Sequence, residues 1–554
     1  MSLNPSKGSF RIFKLGLLTL SVALLLRLGL SAGNPDSSIL KLRPQGKELH
    51  AWNLSTPPDP SDTGHLVFNT VHSLLQNWPN IRYRHGHALV PGTIPIGTLL
   101  YHGRSDPHFP NASDWTSVDP EHSYLFCRLG DECWHLTLVT TRPLNIIYFD
   151  GSSAVKIRGG SMDVQDLLLW GEARDDKAFS EGERLEMLCQ EWGRPFGFDG
   201  FVRMEMDFEV MLCDMSPKGG LETVSFVKLH TERTQISRDP EEIKLRNFEL
   251  IHSSSMHNEF PGETRVKLDL SRIITLYDPQ LWLLNSSSSP YRGQERWDHR
   301  AANSGINVDA FRGRVKEVLQ VEPSTSTQGS SLDWSALMNV IVKRYGKRLE
   351  VLRYILSSAS VLEDTFTKAF TQLEVILMPY LLDDAIPDTQ NTESALDLGR
   401  IYDLCSSSHT SHIVRTEAIS ERLTKSEQLL LASIRTTSKE ICRVLVNAWG
   451  IGFLARSTGS NSKSANHTSI QGIVTTWQAD ITRLMEWLDW SMWVKCKPAC
   501  GDEELCYLPT WPFFGGPPPA DTYIPDHMKQ TEEEEQAWRK PTPRCIRRLS
   551  PYEF

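Results

Sequence analysis

The run Asp199-Gly200-Phe201-Val202-Arg203-Met204-Glu205-Met206-Asp207-Phe208-Glu209-Val210-Met211-Leu212-Cys213-Asp214 carries most of what this chain says about its fold. At the two-residue period of a strand, Met204, Met206, Phe208 and Val210 share one face, and Glu205, Asp207 and Glu209 share the other. The apolar face predicts a strand packed on a core. Three carboxylates side by side repel unless a cation or hydrogen-bond donors meet them, so Glu205 and Asp207 are expected on a solvated outer face.

Working outward, similar short runs bounded by turn residues continue on both sides. Gly97 to His102, Leu144 to Phe149, Val224 to Val227 and Arg272 to Tyr277 are strand signals, with helical patches at Val164 to Trp170 and Glu181 to Trp192. The expected fold is therefore α+β over residues 65–285. Ser286 to Pro290 and Pro323 to Ser331 interrupt the pattern, and a domain boundary is expected there.

Beyond it the period becomes helical. Leu337, Ile341, Tyr345, Leu349, Leu352 and Leu356 form one stripe; Leu362, Phe366, Phe370, Leu373 and Leu377 a second; Ile419, Leu423, Leu430, Ile434, Ile441 and Leu445 a third. A mainly helical domain is expected over 300–495, with apolar stripes that serve as core. Trp477, Trp487, Trp490 and Trp493 form an aromatic helical run expected to pack inside the bundle or onto the first domain. Residues 496–554, Cys- and Pro-rich with the acidic run Glu532 to Glu535, read as a poorly packed tail.

The N-terminus sets the compartment. Lys7, Arg11 and Lys14 precede an uncharged apolar run from Leu15 to Leu26, and small residues follow at Ser31 to Gly33. Twelve helical residues rise only about 18 Å against a ~30 Å hydrocarbon core, which suits a cleaved signal over residues 1–33. Extension to Ala32 makes a signal-anchor with Arg27 snorkelling, and both readings stand. A Pro- and Ser-rich linker is expected over 34–64.

Either outcome places the body in the lumen of the secretory pathway, in the ER or Golgi, at the cell surface or outside it, as a single-pass type II membrane protein if the segment is uncleaved. Sequons at Asn53, Asn111, Asn285 and Asn466 are then glycan acceptors. Ten cysteines, Cys127, Cys133, Cys189, Cys213, Cys405, Cys442, Cys496, Cys500, Cys506 and Cys545, are expected to form disulfides, their pairing undetermined by spacing. Zinc on Cys496, Cys500 and Cys506 is the weaker reading, because no fourth ligand follows at knuckle spacing.

Composition excludes other classes. With 40% hydrophobic and 23% charged residues over 554 positions, the chain is neither wholly disordered nor a multi-span membrane protein. A net charge of −10, with 58 Lys and Arg against 68 Asp and Glu, argues against nucleic acid as a partner. A membrane is a partner only through an uncleaved N-terminus, and a protein or glycan partner is not identifiable from these residues.

There is no nucleophile elbow, phosphate loop, zinc-protease motif or dinucleotide fingerprint. His85-Gly86-His87 offers two imidazoles without a third ligand nearby and reads as a hydrogen-bonded loop.

Three blocks taken in order, Gly97 to Arg104, Trp115 to Phe126 and Asp199 to Asp214, resemble the ADP-ribosyltransferase family of the poly-ADP-ribose polymerase type. The resemblance implies a split sheet and, in an active member, NAD as cofactor. It further implies that His102 and Gly103 contact the ribose and nicotinamide amide, that Tyr124 stacks on the nicotinamide, and that Glu209 is the catalytic carboxylate. A non-catalytic binding or scaffold protein on this fold is the favoured expectation; an active transferase or NAD glycohydrolase is the alternative. The blocks Asp119 to Tyr124 and Cys506 to Pro512 also make the whole chain similar to an uncharacterised family of fungal secretory-pathway proteins.

Overall fold

Ten short strands arise from the apolar runs between Ala88 and Thr275: β1 (Ala88–Ile94), β2 (Leu99–Arg104), β3 (Asp114–Ser117), β4 (Trp134–Thr140), β5 (Leu144–Phe149), β6 (Gly200–Met204), β7 (Phe208–Leu212), β8 (Leu221–Lys228), β9 (Lys267–Leu268) and β10 (Ile274–Thr275). In the computed structural model they make one sheet in the order β10-β1-β5-β6-β7-β3-β2-β4-β8, with β9 paired to β1. All the neighbours run antiparallel except β5 and β6. The structure describes residues 54, 56–110, 113–127, 132–156, 160–229, 240–283, 289–301, 305–320, 329–358, 361–387, 396–458, 465–510 and 531–553. The targeting segment, the sequons Asn53, Asn111 and Asn285, and the expected boundary at 286–288 and 323–328 lie outside these residues, as does the side chain of Asn466.

The Asp199–Asp214 stretch corrects the single-strand expectation. It is a hairpin, with Arg203 opposite Glu209, Met204 opposite Phe208, and Glu205-Met206-Asp207 as its turn. Both strands are buried throughout, because helices Asp163–Leu169, Glu181–Met187 and Val308–Leu319 cover one face around Phe201, Met211, Leu168 and Val315. Burial on both faces removes the polar-out alternation expected of a half-exposed strand.

Residues 53–554 form one compact unit. Helices Trp334–Ser357, Leu362–Leu377, Lys425–Thr458 and Ala465–Leu488 pack their apolar stripes together, with Ile341, Leu349, Phe370, Leu373, Ile434 and Leu445 essentially inaccessible. Ile419 and Leu423 fall before the helix that begins at Lys425, so the third stripe starts at Leu430. The aromatic run is broken as well: the helix stops at Leu488, Asp489 adopts a left-handed φ of 44°, and Trp490 stacks on Phe68. Phe68 belongs to a helix, Gly64–Ser73, that lies on Lys425–Thr458, and Asn69 donates to the Leu488 carbonyl at 2.7 Å. The helical half thus meets the first element of the sheet half directly.

The tail is not loose where it is described. Strand β11 (Glu504–Tyr507) pairs antiparallel with β12 (Arg544–Arg547), and Tyr507 and Ile546 join Phe248 and Ile251 in a small core. Helix Glu532–Arg539 is closed by a capping box at Thr531 and Glu534, and its Trp538 is buried beneath the Arg84 guanidinium at 3.7 Å. Disulfides join Cys189 to Cys213, Cys405 to Cys442, Cys496 to Cys506 and Cys500 to Cys545. Cys133 is also disulfide-bonded. Among the described residues no helix is long and apolar enough to cross a membrane.

Candidate metal centre

The β6–β7 hairpin positions the site. Arg203 and Glu209 sit opposite each other across the two strands, so their side chains share a face, and Arg203 Nη2 lies 3.4 Å from Glu209 Oε2 and 2.5 Å from Glu181 Oε2. The turn then delivers Glu205 and Asp207 to the same end of the hairpin. Their expected place on a solvated face is wrong: Glu205 is 8% exposed and Asp207 1%. A tight turn brings together what an extended strand would have aligned along a surface.

Helix Pro120–Cys127 supplies the first imidazole. His122 is fully buried, its Nε2 lies 3.5 Å from Glu209 Oε1, and its Nδ1 has no hydrogen-bond partner. Lys156 approaches Glu205 to 3.5 Å. Just after helix Pro240–Ser255, His257 supplies the second imidazole, with Nε2 at 2.9 Å from Asp119 Oδ2, 3.5 Å from Glu263 Oε2 and 3.7 Å from Asp207 Oδ1. Arg265 closes that side, reaching Asp119 at 3.0 Å and Glu263 at 2.5 Å. Among the described residues, six carboxylates, Asp119, Glu181, Glu205, Asp207, Glu209 and Glu263, therefore face three permanent cations, Lys156, Arg203 and Arg265.

That surplus of negative charge governs protonation. Burial disfavours the charged form of His122, but Glu209, Asp207 and Glu205 outweigh it and raise its pKa. His257 is raised likewise against burial by Asp119, Asp207 and Glu263. Burial, then the neighbouring Asp119 charge, pushes Asp207 up to about 6. Burial acts on Glu209 in the same sense, yet His122 and Arg203 hold it down at about 2. An imbalance of this kind is met by protons on the imidazoles or by a multivalent cation in their place.

The donor atoms are placed for the second option. Among the described residues, His122, Glu205 and Glu209 each offer a ligand atom within 4.8 Å of the others, and Asp119, His257 and Glu263 do the same. One imidazole and two carboxylates per set suit a first-row divalent ion such as Mn²⁺ or Zn²⁺. The sulfur atoms of Cys496, Cys500 and Cys545 also cluster, but they are committed to disulfides.

The sequence singled out only part of this. Glu209 is at the centre, whereas His102 lies on β2 with its ring 5.0 Å from Trp115 and its Nε2 3.7 Å from Asp114. Gly103 is buried in the β2–β4 pairing opposite His135, and Tyr124 is half-buried on the helix that carries His122. The imidazole beside Glu209 is thus His122. His85 and His87 are held elsewhere, His85 Nε2 at 2.7 Å from the Trp297 carbonyl and His87 stacked on Tyr277. Asp119 and His122 stood three residues apart at a helix start, a legible hint. His257, Glu263 and Arg265 left no local signal, since only tertiary packing brings them to the hairpin.

Residues 60–133 and 130–247 match the family described as the YPL277C N-terminal domain. The chain is 21% identical to the uncharacterized protein YOR389W of Saccharomyces cerevisiae, over 83% of this chain and 82% of that one. It is 30% identical to the uncharacterized protein YPL277C of the same organism, over 30% of this chain and 44% of that one. These relatives support an uncharacterised fungal family. No solved structure matches the chain. The matched family region contains β1 to β8 and His122, Glu205 and Glu209.

Proposed function

We propose that this chain is a disulfide-stabilised protein of the secretory pathway whose sheet is built around a divalent-metal centre, with His122, Glu205 and Glu209 as protein ligands. The observation that carries the reading is that, among the described residues, six carboxylates, five of them buried, face three permanent cations, with an imidazole set among them. Buried charge without a counter-charge is expensive, and a divalent ion offsets it while using the same atoms that repel one another in its absence. The centre belongs to a binding function; an ion there would also polarise a bound water or carbonyl.

The transferase reading asks Glu209 to face a nicotinamide riboside. With Glu209 4% exposed and engaged by His122 and Arg203, the geometry favours a cation over a dinucleotide. The secretory placement is supported by four disulfides among the described residues, since such bridges persist in oxidising compartments.

The full chain, stripped with a chelator and titrated calorimetrically with Mn²⁺ or Zn²⁺, is expected to bind metal. Glu209→Gln, which keeps size and loses charge, is expected to weaken binding by more than about 10-fold. Absence of binding by the stripped, folded chain overturns the reading. For the compartment, endoglycosidase treatment of the expressed protein is expected to lower its apparent mass on a gel, and an unshifted band rejects lumenal exposure of the sequons.

A further inference from the structure

We infer that the cavity where the helical half meets the start of the sheet half is a binding site for a neutral, polyhydroxylated ligand, a short oligosaccharide. It shares no residue with the metal centre, and the inference stands apart from that reading.

The cavity has a volume of about 700 Å³, within the ~300 to 1,000 Å³ of small-molecule sites. One wall comes from the segments Pro57 to Leu66 and Ser289 to His299, the other from helices Lys425–Thr458 and Ala465–Leu488. The first of these helices lines it with Glu440, Arg443 and Asn447, and the second with Asp480, Arg483 and Trp487. Both triplets fall at i, i+3 and i+7, so each occupies one face of its helix. The same helices bury Ile441, Leu445, Ile481 and Leu488 elsewhere, which sets these polar faces apart from the core stripes.

Each triplet carries an ion pair. Arg443 meets Glu440 with Nε at 2.6 Å and Nη2 at 2.7 Å, and Arg483 Nη2 donates to Asp480 Oδ1. The forked pair fixes the orientation of both groups. Apolar residues would stabilise a bundle there as well or better, so stability does not account for a charged pair on a buried Glu440. Donors remain for a ligand: Arg443 Nη1 has only a long 3.4 Å contact to the Leu54 carbonyl, and the Asn447 carboxamide makes no hydrogen bond among the described residues. Half-buried Trp487, stacked on His65 at 4.4 Å, adds an apolar plate.

That combination selects the ligand class. A sugar hydroxyl donates and accepts at once, so a carboxylate meets it on one side and a guanidinium or carboxamide on the other, while the C–H face of the ring packs on indole. The charges of the triplets balance, which gives neither an anion nor a cation an advantage. Asp59 and Asp62, also in the wall, are taken up by the Ser61 and Gly64 amides at 2.8 and 2.7 Å. Among the described residues the carboxylates here do not converge as a metal-ligand set. An apolar ligand would strip water from the ion pairs and replace none of its hydrogen bonds.

Full-length protein is titrated calorimetrically with mannotriose, maltotriose and chitotriose, and competed with spermine and inositol hexaphosphate as cationic and anionic probes. At least one trisaccharide is expected to bind at millimolar concentration or below, and neither charged probe to displace it. Glu440→Gln is expected to weaken binding about 10- to 100-fold, the worth of a hydrogen bond to a charged group. Arg483→Ala, at a side chain 73% exposed whose removal leaves the core untouched, is expected to do the same. No binding by any of the three sugars overturns the site. Sugar affinity unchanged in Arg483→Ala overturns its placement in this cavity. Displacement by spermine or inositol hexaphosphate overturns the neutral ligand class.

Discussion

Asp150 shows how far one buried carboxylate departs from solution chemistry away from the candidate centre. Its Oδ1 accepts from the His87 amide at 2.7 Å and the Ala88 amide at 2.6 Å, yet burial outweighs both and pushes its pKa up to about 7. The folded state then holds a proton that the unfolded chain releases near pH 4. Its contribution to stability is present at low pH and falls as pH rises from about 4 to about 7. Each tenfold change in a protonation equilibrium is worth about 1.4 kcal/mol, so the loss across that window is on the order of 4 kcal/mol. Asp150→Asn keeps the acceptor oxygen and cannot ionise. Its denaturant midpoint is expected to gain on the wild type between pH 5 and pH 7, and equal pH slopes for the two proteins would refute the buried titration.

Among the elements, the bundle depends on a close helix approach and a covalent tie. Gly452 lies in helix Lys425–Thr458 where a Cβ would sit 2.5 Å from Phe370 and 2.9 Å from Trp477, both fully buried rings. Alanine there gains about 1 kcal/mol of helix propensity but overpacks an aromatic contact at about 1 to 3 kcal/mol. Because the rings face a closed core, Gly452→Ala is expected to be net destabilising, read as a lowered melting temperature. Cys405 and Cys442 join helix Leu398–Ser407 to the same long helix across 37 residues. Replacing both with alanine is expected to cost about 2 to 4 kcal/mol by freeing that loop in the unfolded chain. A midpoint unchanged in denaturant would show that packing alone fixes the short helix.

Across the whole molecule, Asp489 ties two distant segments to its own. Its carboxylate meets Arg82 at 2.9 Å and Arg296 at 2.8 Å and accepts from the Tyr83 hydroxyl. Asp489→Ala leaves two guanidiniums facing each other in a largely buried site, and about 3 to 5 kcal/mol of destabilisation is expected from thermal unfolding. Cys500–Cys545 makes a separate prediction for the C-terminus. A protease site engineered between Thr510 and Thr531 is expected to yield a nicked protein that runs as one species until reduced, because the bridge spans the cut. Release of the fragment without reductant contradicts the pairing.

By itself the sequence determined the periodicities: short apolar runs that became the strands of an α+β half, and helical stripes such as Leu349, Leu352 and Leu356 that became a bundle core. It also marked ten cysteines for oxidation and drew attention to Glu209. These are properties of local spacing, which the backbone's 3.6- and two-residue repeats translate directly into buried faces. Only the tertiary structure decided that Glu205 and Asp207 are inside, because a reversal at Met206 converts alternation along a strand into convergence at a tip. Only it brought His257, Glu263 and Arg265 to Asp119, 138 residues separating His257 from that partner. Contacts of that range carry no periodic trace in the chain. They exist because packing apolar faces drags along whatever polar groups lie at their ends, and a centre made of such groups becomes visible only once the faces have met.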